Sequence, residues 1–338
     1  MEDFLGNHGT RERLQMLAEA GRLHSCMLFE GPQGLGKSTT ATWVAMLANC
    51  ADEDEAVRPC GQCWSCRQIP KGQHPDIIRI GLDPAKTAPI ISVSQARSLI
   101  SQLMVKPFHA KHRFVIIDPA DAMTPEAANA LLKTFEDPPS HTHFILVTSA
   151  PVSLLLTVRS RSQRVRFAPV AQSDLANWLK EKGVDDADEV ARLAEGRPGH
   201  ALEMNLDGVD DWRTARDGLL DALSLDAAGR FRYAEKLCKG DRSKWLARVE
   251  QALDAVSALL RDALAHHGNS SVVYNDDRLE VVEDWSQRLG ANGIGQMSIA
   301  VSEARERLQR FVNGRLVLDA LLGRLVHALT QGGKRASV

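Results

Sequence analysis

Three groups of residues have the types and spacing to do chemistry. The first is Gly31 to Ser38, GPQGLGKS, which fits the phosphate-binding pattern G-x-x-x-x-G-K-[ST]. Gly31, Gly34 and Gly36 allow a tight turn that aims successive backbone N–H groups at one point. Lys37 is then placed for the outer phosphates of a nucleotide and the Ser38 hydroxyl for magnesium, with Thr39 in the same turn. The second group is Cys50, Cys60, Cys63 and Cys66. Four thiolates satisfy a tetrahedral zinc, and the two-residue gaps let neighbouring sulfurs converge on one ion. An iron–sulfur cluster uses similar spacing, but no redox motif accompanies it here, so structural zinc is favoured. The third is Asp118, which ends the apolar run Phe114–Ile117. An acid at the carboxyl end of a buried parallel strand is placed to complete the magnesium shell beside such a loop.

Position 119 limits what this site does. A hydrolysing ATPase of this type carries a carboxylate directly after that Asp, to orient the attacking water. Here the residue is Pro119. Asp121 is two positions further on and is expected to face elsewhere. Thr148 and Ser149 end a second apolar strand, Phe144–Val147. A hydroxyl there is either a contact for the terminal phosphate or a plain strand end, and Thr148 is the candidate.

The elements that must position these groups are legible around them. Cys26–Glu30 reads as a buried strand feeding the loop, and Thr39–Leu47 as the helix behind it, whose positive end suits an anion. An amphipathic helix covers 11–20, with Leu14, Leu17 and Ala18 on one face. His74-Pro75-Asp76 precedes a strand at Ile77–Ile80. A loop with Pro84 and Pro89 leads to a helix over 96–104, capped by Ser92 or Ser94. Thr124 as N-cap and Pro125 as first residue start a helix that stops before Pro138-Pro139. Short helices are expected at 173–182 and 186–195, with Gly196–His200 breaking the pattern. From Val209 the chain is helical. Leu253, Val256, Leu259, Leu260 and Leu264 form one apolar stripe, and Leu318, Leu321, Leu322, Leu325 and Leu329 another. Residues 331–338 read as a disordered tail. Cys26 and Cys238 stand alone and read as packing residues.

Composition narrows the function classes. The 338 residues are 44% hydrophobic and 25% charged, an ordinary globular profile with room for two or three domains. The formal net charge is −2 and aromatics make up 5%, which argues against a chain that grips DNA alone by charge and base stacking. No run is apolar enough to span a bilayer, and MEDFLGNHG is too acidic and polar for a usual secretory signal. A cytoplasmic location, with no membrane partner and with cysteines reduced or metal-bound, is expected.

The order RLHSCMLFEGPQGLGKST, the four cysteines, HPD, RFVIIDPADAMTPEAANALLKTFEDPP, HFILVTSAP and RSRSQ resembles the bacterial clamp-loader AAA+ family of DNA polymerase III. The likeness spans nearly all of residues 1–205. It implies an α/β P-loop AAA+ domain with a parallel sheet at 1–166, with its zinc-binding insert at 50–66. A small helical lid at 167–207 and an all-α collar at 208–338 follow. It implies partnership with gamma/tau and delta subunits, and with the sliding clamp and primed DNA through the assembled ring. Motor subunits of the family carry Asp-Glu where this chain has Asp118-Pro119. They carry a lid Arg where it has Gly199, with Arg197 out of register, and Ser-Arg-Cys where it has Ser160-Arg161-Ser162. The resemblance therefore implies a stator-like ring member. It gives Arg161 the part of an arginine finger, offered to the ATP site of a neighbouring subunit. Many non-motor members have a degraded phosphate loop; this one is intact, so ATP and magnesium binding is expected. The competing readings are an ATP-hydrolysing motor subunit and a zinc-bearing DNA-binding module.

Overall fold

The computed structural model describes residues 4–83, 90–207, 209–269, 273–309 and 312–335. The predicted Pro84–Pro89 loop lies outside them. By its contacts the chain divides into two compact units, Met1–Leu202 and Glu203–Val338.

In the first unit the order is α1 (His8–Glu19), β1 (Cys26–Glu30), α2 (Lys37–Ala48), α3 (Trp64–Gln68), β2 (Ile77–Ile80) and α4 (Val93–Leu103). Then come β3 (Arg113–Ile117), α5 (Pro125–Glu136), β4 (Thr142–Thr148), α6 (Leu156–Arg159), β5 (Gln163–Arg166), α7 (Gln172–Glu181) and α8 (Ala187–Leu193). Helix α9 (Pro198–Asp207) begins in this unit. The strands form one sheet in the order β2-β3-β4-β1-β5, with every pairing parallel. Both faces are covered, so the strands read as apolar runs without polar alternation. Met27, Phe29, Phe114, Ile116, Ile145 and Val147 pack with α2 on one face. Cys26, Leu28, Val115, Ile117, Phe144 and Leu146 pack with α4 and α5 on the other.

Helix ends follow the sequence signals. Ser92, not Ser94, caps α4, in a reciprocal capping box with Gln95. Thr124 caps α5 by accepting the Ala127 N–H, with Pro125 first in the helix. The role of His74-Pro75-Asp76 was not legible. The Asp76 carboxylate is 1% exposed and accepts the N–H groups of Phe108 (2.8 Å), His109 (2.8 Å) and Ala110 (2.9 Å). Burial alone would raise its pKa; the three N–H donors and His74 outweigh that and hold it below the usual carboxylate value. It thereby anchors the turn that feeds β3.

The second unit holds α10 (Val209–Leu223), α11 (Ala227–Leu237), α12 (Arg242–His267), α13 (Leu279–Gln309, kinked at Gly290) and α14 (Gly314–Arg335). Its core takes Leu253, Val256, Leu259 and Leu260 from α12 and Leu318, Leu321, Leu322 and Leu325 from α14. Leu264 corrects the expected stripe: it is 47% exposed, and Ala263, one position earlier, is buried instead. A step of about 100° per residue turns the next side chain outward. The tail also differs. Helix α14 runs through the Gly332-Gly333 pair to Arg335, so 331–335 is helical, and 336–338 lies outside the described residues. Glycine costs about 1 kcal/mol in a helix, too little to stop one already anchored by a buried face. Among the described residues no helix is long and apolar enough to cross a membrane.

Candidate functional site

The parallel register brings the phosphate-site residues together. Glu30, the last residue of β1, lies opposite Thr148 at the end of β4, and β3 on the other side of β4 delivers Asp118 just past Ile117. The loop leaves β1 at this shared carboxyl edge. Its glycines are required by geometry. Gly31 (φ 147°) runs so close to Phe167 that a Cβ would sit 2.5 Å from the Phe167 carbonyl oxygen, and Gly34 (φ 83°) and Gly36 (φ 76°) are left-handed. Glu30, 5% exposed, is neutralised by β5: Arg164 Nε lies 3.0 and 2.9 Å from its two oxygens, and Arg166 Nε 3.1 Å from Oε1. That pair ties the loop's root to the edge strand.

Lys37 begins α2 and is buried at 6% exposure, its Nζ donating to the Gly31 and Pro32 carbonyls at 2.6 Å each. Burial pushes the ammonium down to about 8, against the opposing influence of Asp118 and Asp121. A buried cation bonded to two loop carbonyls at the start of a helix suits a phosphate. Ser38 is half-buried and Thr39 exposed in the next positions of α2. Arg79 of β2, bonded to Thr42 Oγ1 at 2.6 Å, also lies within electrostatic reach of Asp118, and nothing in the sequence pattern marked it.

Asp121 corrects the sequence reading. The short turn Ala120–Ala122 folds it back into the site instead of away from it. Its Oδ1 accepts the Thr148 hydroxyl at 2.5 Å. Thr148, 1% exposed, in turn accepts the Ala150 N–H at 3.0 Å. Its single hydroxyl hydrogen is thus committed to Asp121, and Ser149 is the exposed hydroxyl at this strand end.

Gly199 has a positive role in this fold. Its N–H donates to the Gly34 carbonyl at 2.8 Å, so the start of α9 rests on the phosphate loop. A Cβ at 199 would meet Gly34 Cα at 3.0 Å and its oxygen at 3.1 Å. A side chain at 199 would press on the Gly34 backbone, so glycine gives the closest fit of α9 to the loop. Gly196–His200 does not wholly break the helical pattern, because α9 already begins at Pro198.

The four cysteines converge. The sulfurs of Cys50, Cys60, Cys63 and Cys66 lie within 4.8 Å of one another, a set able to hold a metal ion. Backbone N–H groups point at them: Cys60 N to Cys50 Sγ (3.4 Å), Cys63 N to Cys60 Sγ (3.4 Å) and Cys66 N to Cys63 Sγ (3.5 Å). Donors from Cys63 and Gln62 lower the Cys60 thiol to about 7, which favours the thiolate a metal needs. Cys50 and Cys66 are buried against α2, so the insert is packed onto the sheet domain.

Arg161 lies two residues beyond α6. Its guanidinium pairs with Glu136 at the end of α5 and donates to the Thr157 carbonyl at 2.9 Å. Both partners of the ion pair are substantially exposed, and such a pair contributes about 0–1 kcal/mol. Ser162, where motor subunits have Cys, donates to the Val158 carbonyl at 2.9 Å and lies 3.3 Å from the buried Cys26 thiol. It holds the loop without the sulfur.

A glycine-rich loop of P-loop pattern at the carboxyl edge of a five-stranded parallel sheet, with the start of a helix resting on that loop, defines a P-loop α/β protein, and an all-helical second unit follows. Residues 6–171 match the family described as "DNA polymerase III, delta subunit", and residues 211–327 match "DNA polymerase III, delta subunit, C terminal". The DNA polymerase III subunit delta' of Escherichia coli is 30% identical, over 95% of this chain and 94% of its own length. The delta' subunit of Bacillus subtilis is 27% identical, covering 93% of each. The chain belongs to the DNA polymerase III delta-prime subunit family. A gamma/tau subunit of Mycobacterium bovis is 26% identical over 96% of this chain, which spans 60% of that longer relative.

The low pKa of Lys37 has a consequence for binding. Its charge is present below about pH 8 and lost above it, whereas an ordinary lysine stays charged to beyond pH 10. Affinity for magnesium–ADP is expected to fall as pH rises from 7 to 9, by up to about tenfold per pH unit above 8. Titration with a fluorescent ADP checks this; a flat profile contradicts it.

Proposed function

We propose that this chain is a stator-like member of a clamp-loader ring, which binds a nucleotide at its own site, turns it over slowly or not at all, and lends Arg161 to the ATP site next door. The observation that carries the reading is an intact phosphate loop beside Pro119. The residues for holding phosphate are present, and the carboxylate directly after Asp118 is replaced by a ring that cannot orient water. On this reading Gly31, Gly34, Gly36, Lys37 and Thr39 cradle the phosphates, and Ser38 and Asp118 hold magnesium. Bound magnesium supplies charge neutralisation between the phosphates. The lid is residues 167–207 and the collar 208–338. The partners are gamma/tau and delta subunits, with the sliding clamp and primed DNA reached through the assembly, and the setting is the cytoplasm.

Energies favour Arg161 as a donor in trans. An arginine finger contributes about a thousandfold to a hundred-thousandfold in rate, roughly 4–7 kcal/mol of transition-state stabilisation. The exposed pair with Glu136 is worth about 1 kcal/mol or less, so a neighbour's phosphoryl oxygens outcompete it. The motor reading draws one point from the structure, the Asp121 carboxylate in the site. That carboxylate already accepts a hydrogen bond from Thr148.

Zinc is the metal we propose for the cysteine set, because four thiolates at C-x2-C spacing suit a closed tetrahedral structural site. Elemental analysis should find one zinc per chain, and Cys63→Ser should lower zinc retention and destabilise the sheet domain by several kcal/mol. Iron, or full stability without metal, contradicts this. For Arg161, a reconstituted loader carrying Arg161→Ala should lose phosphate release at the neighbouring site by at least about a hundredfold in single turnover. Arg159→Ala, at the end of α6 two residues earlier, should keep it. Equal rates for the two variants remove the role in trans.

A further inference from the structure

The site holds two carboxylates and one ammonium, and the second carboxylate was not expected there. Asp118 directly follows β3 at the carboxyl edge of the sheet. Asp121 is fixed by the Thr148 hydroxyl at 2.5 Å, at the end of β4 and beside the root of the phosphate loop. Both carboxylates lie close enough to Lys37 to influence its charge. A P-loop lysine reaches the outermost phosphates, so Asp121 flanks the same end of the nucleotide.

The hydrogen-bond inventory fixes what this flank presents. Thr148 accepts from the Ala150 N–H at 3.0 Å and gives its only hydrogen to Asp121. The strand end that could have offered a hydroxyl donor from Thr148 offers an anion behind it instead. A terminal phosphate oxygen is itself an acceptor, and a third phosphate adds a further negative charge at the point where Asp121 stands. Gly199 adds to this. Its N–H, at the start of α9, is already bonded to the Gly34 carbonyl, and it brings no side chain to the loop. The outer end of the pocket therefore sets two carboxylates, Asp118 and Asp121, around the single ammonium of Lys37.

We propose that Asp121 makes this site selective for a nucleoside diphosphate over the triphosphate. The inference rests on the reading of Gly31–Ser38 as a nucleotide site and deepens it by naming the ligand. It gives the absence of a water-orienting group at Pro119 a simple companion: the site keeps the product-like nucleotide and has little call for a catalytic carboxylate. Asp121 acts as a specificity-determining residue and takes no part in bond-making.

Equilibrium titration of the full-length chain with magnesium–ADP and magnesium–ATP at pH 7 tests it, alongside Asp121→Asn, which keeps an oxygen for Thr148 and removes the charge. The wild-type chain should bind ADP at least about tenfold more tightly, as one unscreened like charge at contact range implies. Asp121→Asn should bring the two affinities to within about threefold, chiefly by gaining ATP. Equal or ATP-favouring binding by the wild-type chain overturns the proposal without any variant. So does a folded Asp121→Asn chain with an unchanged ratio. Failure to bind either nucleotide overturns the nucleotide-site reading itself, which separates the two claims.

Discussion

Parallel pairing of β1, β3 and β4 is the constraint on which the site rests. Because these strands run the same way and end level, three separate stretches of chain deliver Gly31, Asp118 and Thr148 to one edge. A parallel sheet buried on both faces cannot slip its register without exposing a full row of apolar side chains. Phe29, Ile116 and Ile145 on one face and Leu28, Val115 and Leu146 on the other therefore hold the chemistry in place. The Glu30 pairing with Arg164 and Arg166 extends that order to the edge strand, and so to the loop that carries Arg161.

Two features of this edge pull in one direction. The contact between Gly34 and Gly199 seats the start of α9 on the loop through backbone alone. The turn after Pro119 brings the Asp121 carboxylate to the end of β4, where the Thr148 hydroxyl already occupies it, and leaves no carboxylate directly after Asp118. Neither feature supplies a cationic side chain from α9 or a free carboxylate directly after Asp118. Arg161 is at the surface in a pair weak enough to break. On the proposed reading the chain holds a ligand at its own site and can exchange the Arg161–Glu136 pair for a neighbour's phosphates.

Much of this was legible before any coordinates, for physical reasons. The phosphate loop is legible because positive φ at Gly34 and Gly36 and the close approach at Gly31 demand glycine in sequence. The cysteine set is legible because ligand spacing is local. Buried strands such as Phe114–Ile117 show as apolar runs because both faces are covered. The misses came where distance along the chain hides proximity. Asp121 seemed to face away because a 3-10 turn, not an extended chain, follows Pro119. Asp76 gave no sign of its task because its three donors lie more than thirty residues downstream. Glu136 as the keeper of Arg161 and Arg79 as a neighbour of Asp118 were hidden in the same way. Leu264 was misplaced because an ideal stripe ignores which helix covers which turn.

The central claim is that the chain holds a nucleotide without cutting it. Phosphate release by the purified chain alone, under saturating magnesium–ATP, addresses that most directly. The account predicts release indistinguishable from a Lys37→Ala control. Sustained turnover at a motor subunit's pace, abolished by Lys37→Ala, would contradict it and make this site an engine in its own right.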